Sequence, residues 1–325
     1  MQSHMNGNEP KIEIFKPFGE AFELTKKILF QPFDLAKWCV MGFAAFLASL
    51  SGGMHFNFNG FNRNQDWNWK FTSVRRDMVE TSAHWPGWVI PLIVIAVLFV
   101  LALVVVCIWL GARGRFIFVD CIVRNRAAIK EPWREFRTEG NSFFLLSLLI
   151  VLLVLVVVAL MTVPIFLPLI LHSPNLLSKT AMVIWLVCFV TIVVLLAFGW
   201  NWISQLMVPI MYRKRCRATA ALRDVLGLIS NHPAPLILYF LFFIVLAIAA
   251  IVVGCVATCV TCCIAAIPYV GTVILLPLHV ILYSFTLMFL RQFGSEYDAW
   301  GGRSAFETVP PPVPPAPLSA PPLQA

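Results

Sequence analysis

Four cysteines, Cys255, Cys259, Cys262 and Cys263, recur at helical spacing along one face of a single apolar run. Thiolates in such a stripe can hold Cu(I) or zinc, but one helix rarely wraps a tetrahedral ion alone. The same face carries Ala247, Ala250, Gly254, Thr258 and Ala265, small residues that let helices approach closely in lipid. Close packing is therefore the preferred reading, and no metal or other cofactor is expected. His279 is the one ionisable side chain near the middle of an apolar run. A neutral imidazole there can hydrogen-bond across helices, or serve as a ligand or proton carrier. No run offers it an acidic partner, which favours packing. Asn201, Ser204 and Gln205, flanked by Trp200 and Trp202, form the most polar stretch within a run. They read as interhelical hydrogen-bonding groups, with a polar cavity shared with His279 as the alternative. There is no nucleophile elbow, phosphate-cradling glycine loop, HExxH or pair of carboxylates. Asp120 and Glu135 fall in a basic stretch and are expected to pair with arginines. The chain is read as not an enzyme.

The elements that position these residues are six apolar runs, at about 34–51, 88–110, 143–171, 181–211, 236–266 and 272–290. About 20 apolar residues are needed to cross a bilayer as a helix. The composition agrees: 60% of the 325 residues are hydrophobic and 12% are charged, where soluble domains carry about 25% charged residues. The sequence therefore predicts an all-α membrane protein of six transmembrane helices. Pro164, Pro168, Pro209 and Pro277 are expected to kink theirs. Residues 1–14 are polar and read as a disordered N-terminus, 15–300 as the membrane domain, and 301–325 as a proline-rich disordered tail. That tail, VPPPVPPAPLSAPPLQA from Val309, is expected to be extended polyproline II. The polar N-terminus also shows no cleavable signal peptide. The nine cysteines lie mostly inside runs or at their ends and do not form a secreted disulfide framework.

The formal charge of +8 invites a nucleic-acid reading, which its distribution opposes. Most of the 24 Lys and Arg residues fall before the first run, between the second and third, between the fourth and fifth, and after the sixth. Basic residues near span ends stay cytoplasmic, so both termini are expected inside. Arg113, Arg115, Arg124, Arg126, Arg213, Arg215 and Arg217 are the candidate contacts to anionic lipid headgroups, and no nucleic-acid partner is expected.

Residues 17–30 read as an amphipathic helix whose apolar face holds Phe18, Ala21, Phe22, Thr25, Ile28 and Leu29. Such a helix would lie in the headgroup layer. Residues 131–139 precede the third run with Trp133 and Phe136 as anchors. Residues 218–230 precede the fifth with Leu222, Val225, Leu226 and Ile229. The last two copies align without gaps: Arg124, Arg126, Arg134 and Glu135 fall on Arg213, Arg215, Arg223 and Asp224. The chain thus reads as three repeats of surface helix plus transmembrane hairpin. The longest outer loop, Ser51–Gly87, is rich in Asn and aromatic residues and reads as an interfacial aromatic belt.

Three segments, VPIMY at 208–212, CCIAAIPYVG at 262–271 and LRQFG at 290–294, resemble a group of uncharacterised bacterial six-span membrane proteins. The repeated plan is similar to the membrane domain attached to some glycerophosphoryl diester phosphodiesterases. The resemblance covers roughly residues 15–300 and implies a multi-pass protein of the bacterial inner membrane. The catalytic barrel of that family has no counterpart here, so the resemblance implies no phosphodiesterase activity.

Overall fold

A computed structural model describes residues 13–50, 88–170, 179–261, 267–302 and 304–305. Among the described residues the chain is all-helical. The helices are α1 (Phe15–Phe30), α2 (Leu35–Ser49), α3 (Val89–Val123), α4 (Lys130–Glu135) and α5 (Arg137–Ile170). They continue as α6 (Lys179–Lys214), α7 (Ala218–Asn231), α8 (Pro233–Val260), α9 (Pro268–Ile274) and α10 (Leu276–Arg291). The Ser51–Gly87 loop, Cys262, Cys263 and the proline-rich tail lie outside the described residues.

Among the described residues four helices are long and apolar enough to cross a membrane: α3, and the stretches Arg137–Val163, Ile184–Lys214 and Pro233–Val260. At 1.5 Å per residue the 35 residues of α3 extend about 52 Å, well beyond a hydrocarbon core of about 30 Å. The surplus is packed inside the protein. Residues Gly111 to Ile122 of α3 are buried on every side, while Ile90 to Val104 are exposed. In α6, Ser204 to Tyr212 are buried while most of Ile184 to Leu196 is exposed. The core therefore gathers at one end of the long helices, and their apolar far stretches project from it. Exposed surface that is apolar all round is what lipid accepts and water does not.

The sequence predicts that the second span ends near residue 110 and that a basic loop follows. Instead α3 runs unbroken to Val123. Phe116, Phe118, Val119 and Ile122 keep the helix apolar past its two arginines. The expected first and sixth spans are short: α2 has 15 residues and α10 has 16. Both are built into the core. Lys37 Nζ donates to Asn125 Oδ1 at 2.7 Å, and Leu47 lies against Gly114. So α2 runs antiparallel to the last third of α3. A Cβ on Gly114 would sit 2.5 Å from the Leu47 carbonyl carbon, so only glycine permits this crossing. α10 is the hub, touching α1, α2, α3, α6, α8 and α9.

The amphipathic helices put their apolar faces on protein. α1 packs chiefly on α10, burying Ala21, Leu24, Thr25, Ile28 and Leu29. Phe22, expected on that face, is exposed, and Leu24 takes its place. α7 buries Ala218, Ala221, Val225 and Leu228, while Leu226 is exposed. In both helices small residues (Ala21 and Thr25; Ala218 and Ala221) share the contact line with fully packed Leu, Ile or Val side chains. Pro209 is accommodated without ending α6. Pro277 stands just past a break at Leu275 that separates α9 from α10.

Candidate functional site

The chemistry-bearing side chains collect at the core end. Asp120, fully buried on α3, is their centre. Arg124 Nε lies 3.0 Å from its Oδ1. Arg126 meets its Oδ2 through Nε at 3.1 Å and Nη2 at 3.0 Å. Tyr212 Oη donates to Oδ1 at 2.9 Å, tying α6 to α3. A buried carboxylate is tolerated only when its oxygens are so engaged.

Glu135, at the end of α4, is a second junction. It accepts from Arg124 Nη2 at 2.8 Å and from Arg215. Burial works to raise its carboxyl, but hydrogen bonds and charge from Arg124 and then Arg215 outweigh that. They hold it below the ordinary carboxylate range. Arg215 also meets Glu139 at 3.6 Å, and its guanidinium lies 3.9 Å over the Phe136 ring. Phe136 in turn stacks on Tyr212 at 4.8 Å. Ser142 Oγ accepts from the Ala218 amide at 2.9 Å, satisfying the first turn of α7. Together these contacts clamp α3, α4 and α5 to α6 and α7.

The seven expected lipid-contact arginines divide into three groups. Arg113 and Arg115 are buried. Arg113 Nη2 donates to Asn141 Oδ1 at 2.9 Å, with its guanidinium between Trp109 at 4.5 Å and Trp133 at 4.9 Å. Arg115 Nη1 donates to Ser204 Oγ at 2.8 Å. Arg124, Arg126 and Arg215 are engaged with Asp120, Glu131, Glu135 and Glu139. Arg213 and Arg217 remain exposed. Arg213 lies along Gly301, whose φ of +68° favours a residue without Cβ.

The polar stretch on α6 is buried but divided. Ser204 is taken up by Arg115 and by the Asn201 carbonyl. Asn201 Oδ1 and Gln205 Oε1 are buried with no hydrogen-bond partner among the described residues. His279 Nδ1 lies 2.9 Å from the Leu275 carbonyl oxygen. The His279 and Leu278 amides donate to the same carbonyl. His279 thus serves the break before α10, where Pro277 has no amide to donate. Cys255 and Cys259 are free and exposed. Among the described residues no group of three His, Cys, Asp or Glu side chains could hold a metal ion.

Two depressions were not legible in the sequence. An apolar groove of about 360 Å³ lies between α5 and α6, lined by Val154, Val157, Leu196 and Trp200 among others. A larger depression of about 510 Å³ lies at α4, lined by Ile129, Lys130, Glu131, Trp133 and Arg134. The sequence signal of the second is the interfacial pattern of Trp133 flanked by Lys130 and Arg134.

This all-helical assembly of apolar stretches on a basic end is the unit that the family comparison matches. The chain belongs to a family described as Family of unknown function (DUF7544). The match covers residues 13–294, nearly all of the helical assembly. No curated protein and no solved structure matches the chain.

Proposed function

We propose that this member of the family is a non-enzymatic accessory or scaffold protein of the bacterial inner membrane that holds anionic lipid at its basic end. The observation that carries the reading is the division of α3, α5 and α6 into an exposed apolar stretch and a packed end where the basic residues collect. Positive charge at span ends marks the cytoplasmic face, so the core end and both termini are cytoplasmic. Arg213 and Arg217 are the expected arginines placed to meet headgroups. Arg113, Arg115, Arg124, Arg126 and Arg215 act through the shape and charge of the platform.

The proposal includes six membrane segments in three repeats, on the plan of the phosphodiesterase-associated membrane domain. One motif supports it. After each even-numbered segment a basic residue pairs with an acid further along the chain: Arg124 with Glu135, Lys214 with Asp224, and Arg291 with Asp298.

A ligand that binds only the folded state raises apparent stability. Phosphatidylglycerol added to the protein in neutral detergent is expected to raise Tm, and phosphatidylcholine at equal concentration is not. Equal shifts from both lipids contradict the reading. A second reading, passage of an uncharged solute, is favoured by the buried, unpartnered oxygens of Asn201 and Gln205. It predicts glycerol flux in proteoliposomes that is lost in Gln205→Leu.

A further inference from the structure

The α4 depression is absorbed neither by the ion-pair network nor by the arginines expected to meet lipid. Glu131 on its wall is occupied by Arg126. Lys130 and Arg134 are exposed and make no ion pair with a described residue. The lining is therefore net positive, and its volume of about 510 Å³ is that of a small-ligand site. Its aromatic wall leads toward lipid. Trp133 meets Trp109 edge to face at 5.7 Å. Trp109 belongs to α3, whose preceding stretch, including Val104 and Val106, is apolar and exposed. A cationic cup joined through a tryptophan pair to a lipid-facing helix matches an amphiphile with a negative head and apolar chains. A free anion has no use for the second half of that surface.

We propose that this depression seats the anionic headgroup of a bilayer phospholipid. Lys130 and Arg134 hold the phosphate, Trp133 forms the wall, and the acyl chains lie along the exposed stretch of α3. Arg113 is a positioning residue: held between Trp109 and Trp133, it fixes the wall. The assignment rests on the reading of the protein as an anionic-lipid binder and gives that reading an address.

The test is a titration of the full chain in neutral detergent with phosphatidylglycerol, read by native mass spectrometry. Lys130→Gln with Arg134→Gln is compared with Lys16→Gln and Lys26→Gln, which remove the same charge from exposed positions on α1. A basic side chain near an anionic surface is worth about five-fold in affinity, so the α4 pair is expected to lose about 25-fold. The α1 pair is expected to lose much less. Equal losses in the two pairs, or no loss in the α4 pair, overturn the site while leaving lipid binding intact. Displacement of the lipid by inorganic phosphate also overturns the assignment, by making the ligand a free anion. Wild-type protein that binds phosphatidylcholine equally well removes the underlying reading and the site with it.

Discussion

Asp120 shows what a buried charge does in this molecule. With Arg124, Arg126 and Tyr212 on its two oxygens, its removal leaves the buried Tyr212 hydroxyl without an acceptor and the two arginines with Glu135 and Glu131 alone. Asp120→Ala is expected to cost about 1–3 kcal/mol, measured as a loss of thermal stability in detergent. Unchanged stability would show that the arginines are satisfied by water instead. Glu135 gives a pH dependence of definite sign. Its carboxyl is depressed in the folded protein, so its contribution is present above the ordinary value of about 4.3 and is lost as pH falls through the lower, folded value. Glu135→Gln is expected to flatten the stability profile below about pH 4.3 and to leave its shape above pH 6 unchanged. The pairing of Asp120 and Glu135 with arginines was legible from their place in a basic stretch of the sequence. Which arginines are consumed was not, because that depends on how α3 and α6 are set side by side.

At the scale of elements, glycine positions decide where helices touch. Gly114 lies against the Leu47 and Ala48 backbone, whereas Gly199 has nothing within 4 Å of its Cβ direction. Gly114→Val is expected to destabilise by about 3 kcal/mol or to prevent assembly. Gly199→Ala is expected to be neutral or stabilising by up to about 1 kcal/mol. Equal tolerance at both sites would contradict the α2–α3 crossing. The apolar runs announced the long helices because hydropathy is a local property. The run ends did not, since helix α3 continues past Arg113 and Arg115 under cover of tertiary packing that no window of sequence contains. The amphipathic faces of α1 and α7 were placed nearly right, each one position off at Phe22 and Leu226. The missed positions are Leu24 in α1 and Ala218, Ala221 and Leu228 in α7, which only the packing against neighbouring helices reveals.

At the scale of the whole molecule, two asymmetries coincide: apolar surface at the far stretches and basic charge at the packed end. The charge asymmetry was legible in the sequence, and with it the orientation now proposed. The α4 depression was not, because Trp109 and Trp133 meet only through the fold. The central claim is that this molecule engages anionic lipid, and native mass spectrometry of the protein released from mild detergent addresses it directly. Anionic phospholipid is expected to be retained in preference to zwitterionic lipid. A metal ion or small polar solute retained without anionic lipid would contradict it, and would turn attention to Cys255–Cys263 or to Asn201 and Gln205.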